Sequence, residues 1–330
     1  MKRFGICLIA IMLGLALACG SQEAKAPAAP IVQAARMEIH AFPSMTLTDQ
    51  EFLKGRKEGK PVTLVGELRL PRPGNDRLPA VVLLHGSGGI SCNALDWEGY
   101  FNALGVATFV LDCFTPRGIV NTNFDQSQLG RTQMIFDAYR ALEVLARHPR
   151  IDPTRIAIMG FSRGGQAALY SSMKRFQRLH GPAGQEFTAY IVFYPTCNNT
   201  FREDEDVADR PIRIFIGSAD DYVSVAACRA YFERLKAKGK NIQLTEYDGA
   251  RHSFDNRMFK VPQKLEKAPT IRRCELAEAE DGVIINAKTK QPFTWADPCV
   301  EYGPTLAYNE TAFIEARRAV KDFVTTTLKP

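Results

Sequence analysis

The sequence predicts an α/β fold: one domain with a mostly parallel, doubly wound sheet and a cysteine-bearing excursion before the last helix. Three observations carry this. Uninterrupted apolar runs, expected of strands buried on both faces, recur along the chain. Stretches with apolar residues at helical spacing separate them. Between about Asp255 and Tyr308 the alternation stops for longer than an undecorated loop in a compact domain usually runs.

The chain begins "MKRFGICLIAIMLGLALACGSQ": two basic residues, an apolar run too short for a comfortable membrane span, then small residues. This reads as an export leader over residues 1–19. Leu15-Ala16-Leu17-Ala18-Cys19 resembles a bacterial lipobox, in which Cys19 becomes the lipidated first residue; plain signal cleavage after Ala18 is the other reading. Either way the expected location is the periplasm or a membrane-anchored lipoprotein. Residues 20–40 include "SQEAKAPAAP", polar and rich in Pro and Ala, which reads as a flexible tether. Residues 41–330 are left for the folded domain.

"PVTLVGELRLP" alternates apolar and polar residues as an antiparallel strand does. "AVVLLHG", "VATFVLDCF", "RIAIMGF", "AYIVFYP" and "PIRIFIG" are buried-strand runs, and "NIQLTEYDG" is a weaker one. Helical spacing marks "QLGRTQMIFDAYRALEVLARH", "ACRAYFERLKAKGK" and "NETAFIEARRAVKDFVTTTL". The stretch 255–308 reads as an ordered excursion, a hairpin clipped by Cys274–Cys299, a bridge worth roughly 2–4 kcal/mol.

Composition is ordinary for a globular chain of 330 residues, 45% hydrophobic and 24% charged. A formal charge of +6 without basic runs interleaved with aromatics argues against a nucleic-acid partner. Beyond Cys7 and Cys19 lie Cys92, Cys113, Cys197, Cys228, Cys274 and Cys299, an even number that suggests disulfides in an oxidising compartment. Reduced, partly buried thiols are the alternative, and sequence leaves every pairing open. No CxxC or Cys/His cluster has zinc spacing, so no metal site is expected. Nothing in the pattern fixes an oligomeric state.

Gly160-Phe161-Ser162-Arg163-Gly164 follows an apolar strand and opens a helix, the context a nucleophile elbow requires. Glycines there let backbones approach where side chains would clash. A serine hydroxyl needs a base. Of the histidines after Ser162, His180 in "RLHGPAGQ" reads as a surface or capping residue, whereas His252 in "EYDGARHSF" follows the last strand run. The acid comes from "GSADD": Asp220 is preferred, with Asp221 the alternative. The backbone N–H groups of Ser87, in "HGSGG", and of Arg163 are the expected oxyanion donors. Arg163, Arg251 and Arg117, the last in "CFTPRG" after another strand end, fall on the same face, where together they would bind an anionic substrate group, Arg117 being the strongest candidate; structural ion pairs are the alternative.

"LLHGSGG", "GFSRGG", "GSADD" and "ARHSFDN", in this order, resemble the dienelactone-hydrolase branch of the α/β-hydrolases over about Val62 to Leu328. The resemblance implies an α/β-hydrolase fold and a serine esterase or lactonase acting on a small-molecule substrate, with no cofactor. One departure concerns the nucleophile: the namesake enzymes carry cysteine at the elbow, and this chain carries Ser162. A small peptidase or an acyltransferase would use the same machinery. An exported binding protein that keeps the fold without turnover is the reading from another class.

Overall fold

The computed structural model describes residues 36–329. The leader, Cys19 and most of the expected tether lie outside the described residues. Residues 36–40, assigned above to the tether, instead begin strand β1 (Arg36–Thr46), which pairs antiparallel along its whole length with β2 (Lys60–Leu70). The backbone of this segment is satisfied by a ladder, so the segment cannot be a free linker.

The apolar runs become β3 (Leu78–Leu84), β4 (Ala107–Asp112), β5 (Ile151–Phe161) and β6 (Tyr190–Phe193). After a two-residue strand, β7 (Asn199–Thr200), follow β8 (Ile212–Gly217) and β9 (Ile242–Tyr247). Eight of these form one sheet in the order β1-β2-β4-β3-β5-β6-β8-β9, antiparallel at the β1-β2-β4 end and parallel from β4 onward. All seven residues of β3 are buried, as its uninterrupted apolar sequence requires.

The helices are α1 (Asp49–Leu53), α2 (Cys92–Ala103), α3 (Gln133–Ala146), α4 (Arg163–Tyr170), α5 (Lys174–His180), α6 (Val225–Ala237) and α7 (Glu310–Thr327). The capping box of α1 joins Thr48 and Glu51. α2 has no clean apolar stripe, because Asn93, Glu98 and Asn102 are buried along with Ala94, Trp97 and Phe101.

The excursion is a set of short pairings, not one hairpin. Gln263–Lys264 pairs with Thr305–Leu306, Pro269–Thr270 with Glu301–Tyr302, and Leu276–Glu278 with both Ile284–Asn286 and β7. Ile271, Cys274 and Leu276 form its own small core, against which Phe293, Trp295 and Cys299 pack. Cys274–Cys299 is a disulfide, and Cys197–Cys228 a second; Cys92 and Cys113 are free. Among the described residues, no helix is long and apolar enough to cross a membrane.

His40 and His148 both meet Glu38 Oε2, at 3.0 and 3.1 Å. The Arg150 backbone N–H donates to His148 Nδ1 at 3.2 Å, which leaves the proton of the neutral ring on Nε2, facing the carboxylate. The trio is a hydrogen-bonded staple of β1 to the turn that follows α3.

Candidate active site

Strand β5 ends at Phe161 and α4 begins at Arg163, so one residue makes the whole turn. That residue, Ser162, has φ 53° and ψ −112°, a conformation rare for a side chain with a Cβ. Such strain persists only where the surroundings over-determine it. Here they do. A Cβ on Gly160 would drive into the Gly164 carbonyl, and one on Gly164 into the Leu84 and His85 carbonyls. Gly165, a third glycine, packs its backbone equally closely on Phe193.

Ser162 Oγ lies 2.9 Å from His252 Nε2, and His252 Nδ1 lies 2.8 Å from Asp220 Oδ2. The hydroxyl donates to Nε2 when Nδ1–H donates to the carboxylate. Both His252 and Asp220 have buried side chains. The other oxygen of Asp220 accepts the backbone N–H groups of Tyr222 and Val223, at 2.8 and 2.9 Å, which fixes the carboxylate plane. Asp221 points elsewhere: it accepts from Thr305 N at 2.8 Å and pairs with Arg251 at 3.1 Å. Of the two acids left open by sequence, Asp220 is the one beside the histidine. His180 is buried, not at the surface; it bonds the Phe52 carbonyl at 2.7 Å and stacks on the Phe52 ring. Burial pushes its pKa down to about 4.

Two concavities meet at Ser162, with Ser87 and Tyr222 shared between them. One is an open cleft of about 230 Å³ containing His252, the Gly86–Gly89 loop and the apolar wall of Met258, Phe259 and Leu306. The other is a small pocket of about 40 Å³ bounded by Arg131, Arg163, Gln166, Ile271 and Trp295. Tyr194 and Tyr222 flank the imidazole, with ring centres 4.6 and 4.8 Å away. Behind them Asp255 accepts from Tyr194 Oη at 2.6 Å and Trp97 Nε1 at 2.9 Å.

A model of the dienelactone hydrolase family matches residues 67–273, well over half of the chain and inclusive of Ser162, Asp220 and His252. The chain belongs to the dienelactone hydrolase family. Solved structures with similar folds include a dienelactone hydrolase-like promiscuous phosphotriesterase from metagenomic libraries (16% identity, TM-score 0.55, covering 88% of this chain and 98% of that one). A dienelactone hydrolase assignment from Klebsiella pneumoniae is comparable (14% identity, TM-score 0.55, 87% and 99%). Curated relatives match over shorter spans. A 3-dehydroquinate synthase of Archaeoglobus fulgidus is 38% identical over 90 residues, 26% of each chain. An acyl-protein thioesterase 1 of Gibberella zeae is 25% identical over 126 residues, 38% of this chain and 50% of that one. A 2-oxo-3-(5-oxofuran-2-ylidene)propanoate lactonase of Bradyrhizobium is 23% identical over 193 residues, 54% and 74%. The chain thus spans a quarter and a half of the first two curated relatives.

Two expected substrate contacts are instead engaged in ion pairs. Arg117 is buried in a two-pronged ion pair with Asp137, at 2.8 and 2.9 Å, and also bonds Thr46 Oγ1 and the Cys113 carbonyl. The buried carboxylate of Asp137, on α3, claims it, and Arg117 borders neither concavity. Arg251 is held outward by Asp221, and likewise borders neither.

The cations beside Ser162 are Arg163, the one member of the expected trio at the site, and Arg131, which sequence did not offer; neither has an ion pair among the described residues. Arg163 donates to Gln126 Oε1 at 2.7 Å, to the Gly130 carbonyl at 3.0 Å and to the Leu129 carbonyl. Arg131 lies over Trp295 and Phe293, 5.5 and 5.8 Å from the ring centres, and its Nη1 has no hydrogen-bond partner. Burial pushes the pKa of each guanidinium down to about 10, and for Arg163 the charge of Arg131 adds to it. Trp295 and most of the excursion lie beyond the family match, so this wall of the pocket is a feature of the chain outside the matched region.

Proposed function

We propose that the protein is an exported serine hydrolase that cleaves a carboxylic ester or lactone through an acyl-enzyme on Ser162. His252 Nε2 takes the hydroxyl proton as Oγ attacks the carbonyl carbon, and Asp220 stabilises the imidazolium that forms. The backbone N–H groups of Ser87, in the loop after β3, and Arg163, first residue of α4, serve as oxyanion donors, each worth about 10²–10³ in rate. As the carbon–oxygen bond to the alcohol breaks, His252 returns its proton to the leaving oxygen. Water then attacks the acyl-serine, with His252 again as base, and releases the acid and free Ser162. Because Arg163 is buried, Arg131 is partly buried and neither meets a carboxylate, an anionic substituent on the acyl group would find its partner there.

The Ser162–His252–Asp220 chain of short hydrogen bonds on a strained strand-to-helix turn carries this reading. Family membership supports the ester class. The leader supports export, as do two disulfides, which persist in oxidising compartments. Lipidation of Cys19 would tether the domain to a membrane. A fluorophosphonate probe tests the reading: the parent should label stoichiometrically, and folded Ser162→Ala should not. Equal labelling of both would sink it.

A further inference from the structure

The pocket and the cleft meeting at Ser162 differ in size, polarity and access to the histidine. The pocket, at about 40 Å³, is lined by Arg131, Ile271 and Trp295. At about 10–15 Å³ per water it holds only a few water-sized groups. The cleft is several times larger, and Phe161, Met258, Phe259 and Leu306 give it apolar walls. Met258 lines it and is exposed; Val261, 81% exposed, follows two residues beyond the lining Phe259. Exposed Ile90 lies between the lining residues Gly89 and Ser91, and exposed Phe124 follows Asn123. Val120, 84% exposed, belongs to the loop that packs on the Gly86–Gly89 turn: its carbonyl faces Gly89, and Thr122 N bonds the Ser87 carbonyl at 2.7 Å. A single exposed apolar side chain needs no explanation. Met258 lines the cleft and the other four sit on the three loops beside it, and exposed apolar residues gathered on the loops of one cleft are what a groove for an apolar ligand requires.

His252 decides which half of an ester uses which concavity. The imidazole must hand its proton to the leaving oxygen, so the alcohol lies on its side of Ser162. His252 borders the cleft and not the pocket. We infer that the substrate is an ester of a short acyl group, seated in the Arg131–Trp295 pocket, with a long apolar alcohol lying along the collar of Ile90, Val120, Phe124, Met258 and Val261. The inference rests on the reading of Ser162 as the acyl acceptor. Ester and water are consumed; the short acid and the long alcohol are released, the alcohol carrying the proton His252 took from Ser162.

Octyl acetate and ethyl octanoate are isomers with the chain on opposite sides of the ester, so they separate this proposal from general hydrophobicity. kcat/KM is measured on the full chain below the solubility limit of each ester, with ethyl acetate as reference. A half-buried methylene is worth about twofold, so octyl acetate should exceed ethyl acetate by about 60-fold. Ethyl octanoate should fall below ethyl acetate. The paired substitution Val120→Asp and Phe124→Asp, at exposed positions, should cut the octyl-to-ethyl preference to about fivefold or less. Ethyl octanoate equal to or better than octyl acetate overturns the inference, as does a preference unmoved by the paired substitution. If no ester is turned over and Ser162 does not label, the parent reading has failed, a result distinct from turnover without the side preference.

Discussion

Replacing Asp220 by asparagine should do more than weaken a hydrogen bond. Asp220 Oδ1 accepts two backbone N–H groups, from Tyr222 and Val223, and Oδ2 accepts His252 Nδ1–H at 2.8 Å. In Asp220→Asn the amide oxygen keeps the two backbone donors, because an NH₂ there would face N–H groups. The amide nitrogen must then point at His252, which can accept only at Nδ1 and so carries its proton on Nε2. That proton faces Ser162 Oγ, and the base is lost without any change of shape. The equivalent tautomer trap in a serine protease triad lowers kcat by about 10⁴-fold, and the same order is expected here. Asp221→Asn is the control. It loses a pair with Arg251, whose side chain is 42% exposed, and such pairs contribute at most about 1 kcal/mol. Its activity should stay within about fivefold of the parent. Steady-state hydrolysis of p-nitrophenyl acetate, with melting temperatures to show both variants folded, reads the difference. An Asp220→Asn protein with more than about a tenth of parental activity, or a more severe Asp221→Asn, would refute the tautomer argument.

Arg131→Gln removes one of the two unpaired cations of the small pocket; it should lower kcat/KM for a succinate monoester by about 10-fold or more relative to a neutral butyrate ester, and an unchanged ratio would remove Arg131 from substrate binding. Glu98 is buried on α2, and desolvation, only partly offset by Arg69 at 3.1 Å, raises its pKa from 4.5 to about 7. Between those values the folded chain holds a proton that the unfolded chain has lost, so this group's contribution to stability falls as pH rises through the window. Glu98→Gln should therefore melt higher than the parent near pH 8 and lose that advantage near about pH 5, as thermal scans at both values will show. Cys274→Ser opens a loop whose ends are 25 residues apart and should cost about 2–4 kcal/mol in unfolding experiments. Because that loop carries Trp295, limited proteolysis should cut within it first; identical cleavage of parent and variant would show the clip to be dispensable.

The parallel strands were legible because burial on both faces leaves no polar residue to confuse the pattern, as the seven buried residues of β3 illustrate. Ser162 was legible because strand, glycines and helix sit within one short window. His252 and Asp220 were legible because each follows a strand of the same sheet. Other elements failed for physical reasons. β1 lies beside a Pro/Ala-rich stretch and gains its order from partners further along the chain, the β2 ladder and contacts such as Glu38–His148 and Ser44–Asp137. α2 buries Asn93, Glu98 and Asn102, which erase its apolar stripe. An arginine after a strand reads the same whether it meets a substrate or, like Arg117, a buried Asp137. Arg131 acquires meaning only from Trp295, which the excursion brings back from far along the chain. "QLGRTQ", just before an amphipathic helix, held no signal for it beyond an arginine near a helix start.

A covalent acyl group on Ser162 is directly visible to rapid-quench mass spectrometry of the protein mixed with p-nitrophenyl acetate. One acetyl group per chain should accumulate within the first turnover, on the peptide containing Ser162, together with a burst of p-nitrophenolate. Turnover without acetylation at Ser162, or acetylation that persists in Ser162→Ala on another residue, would contradict the account.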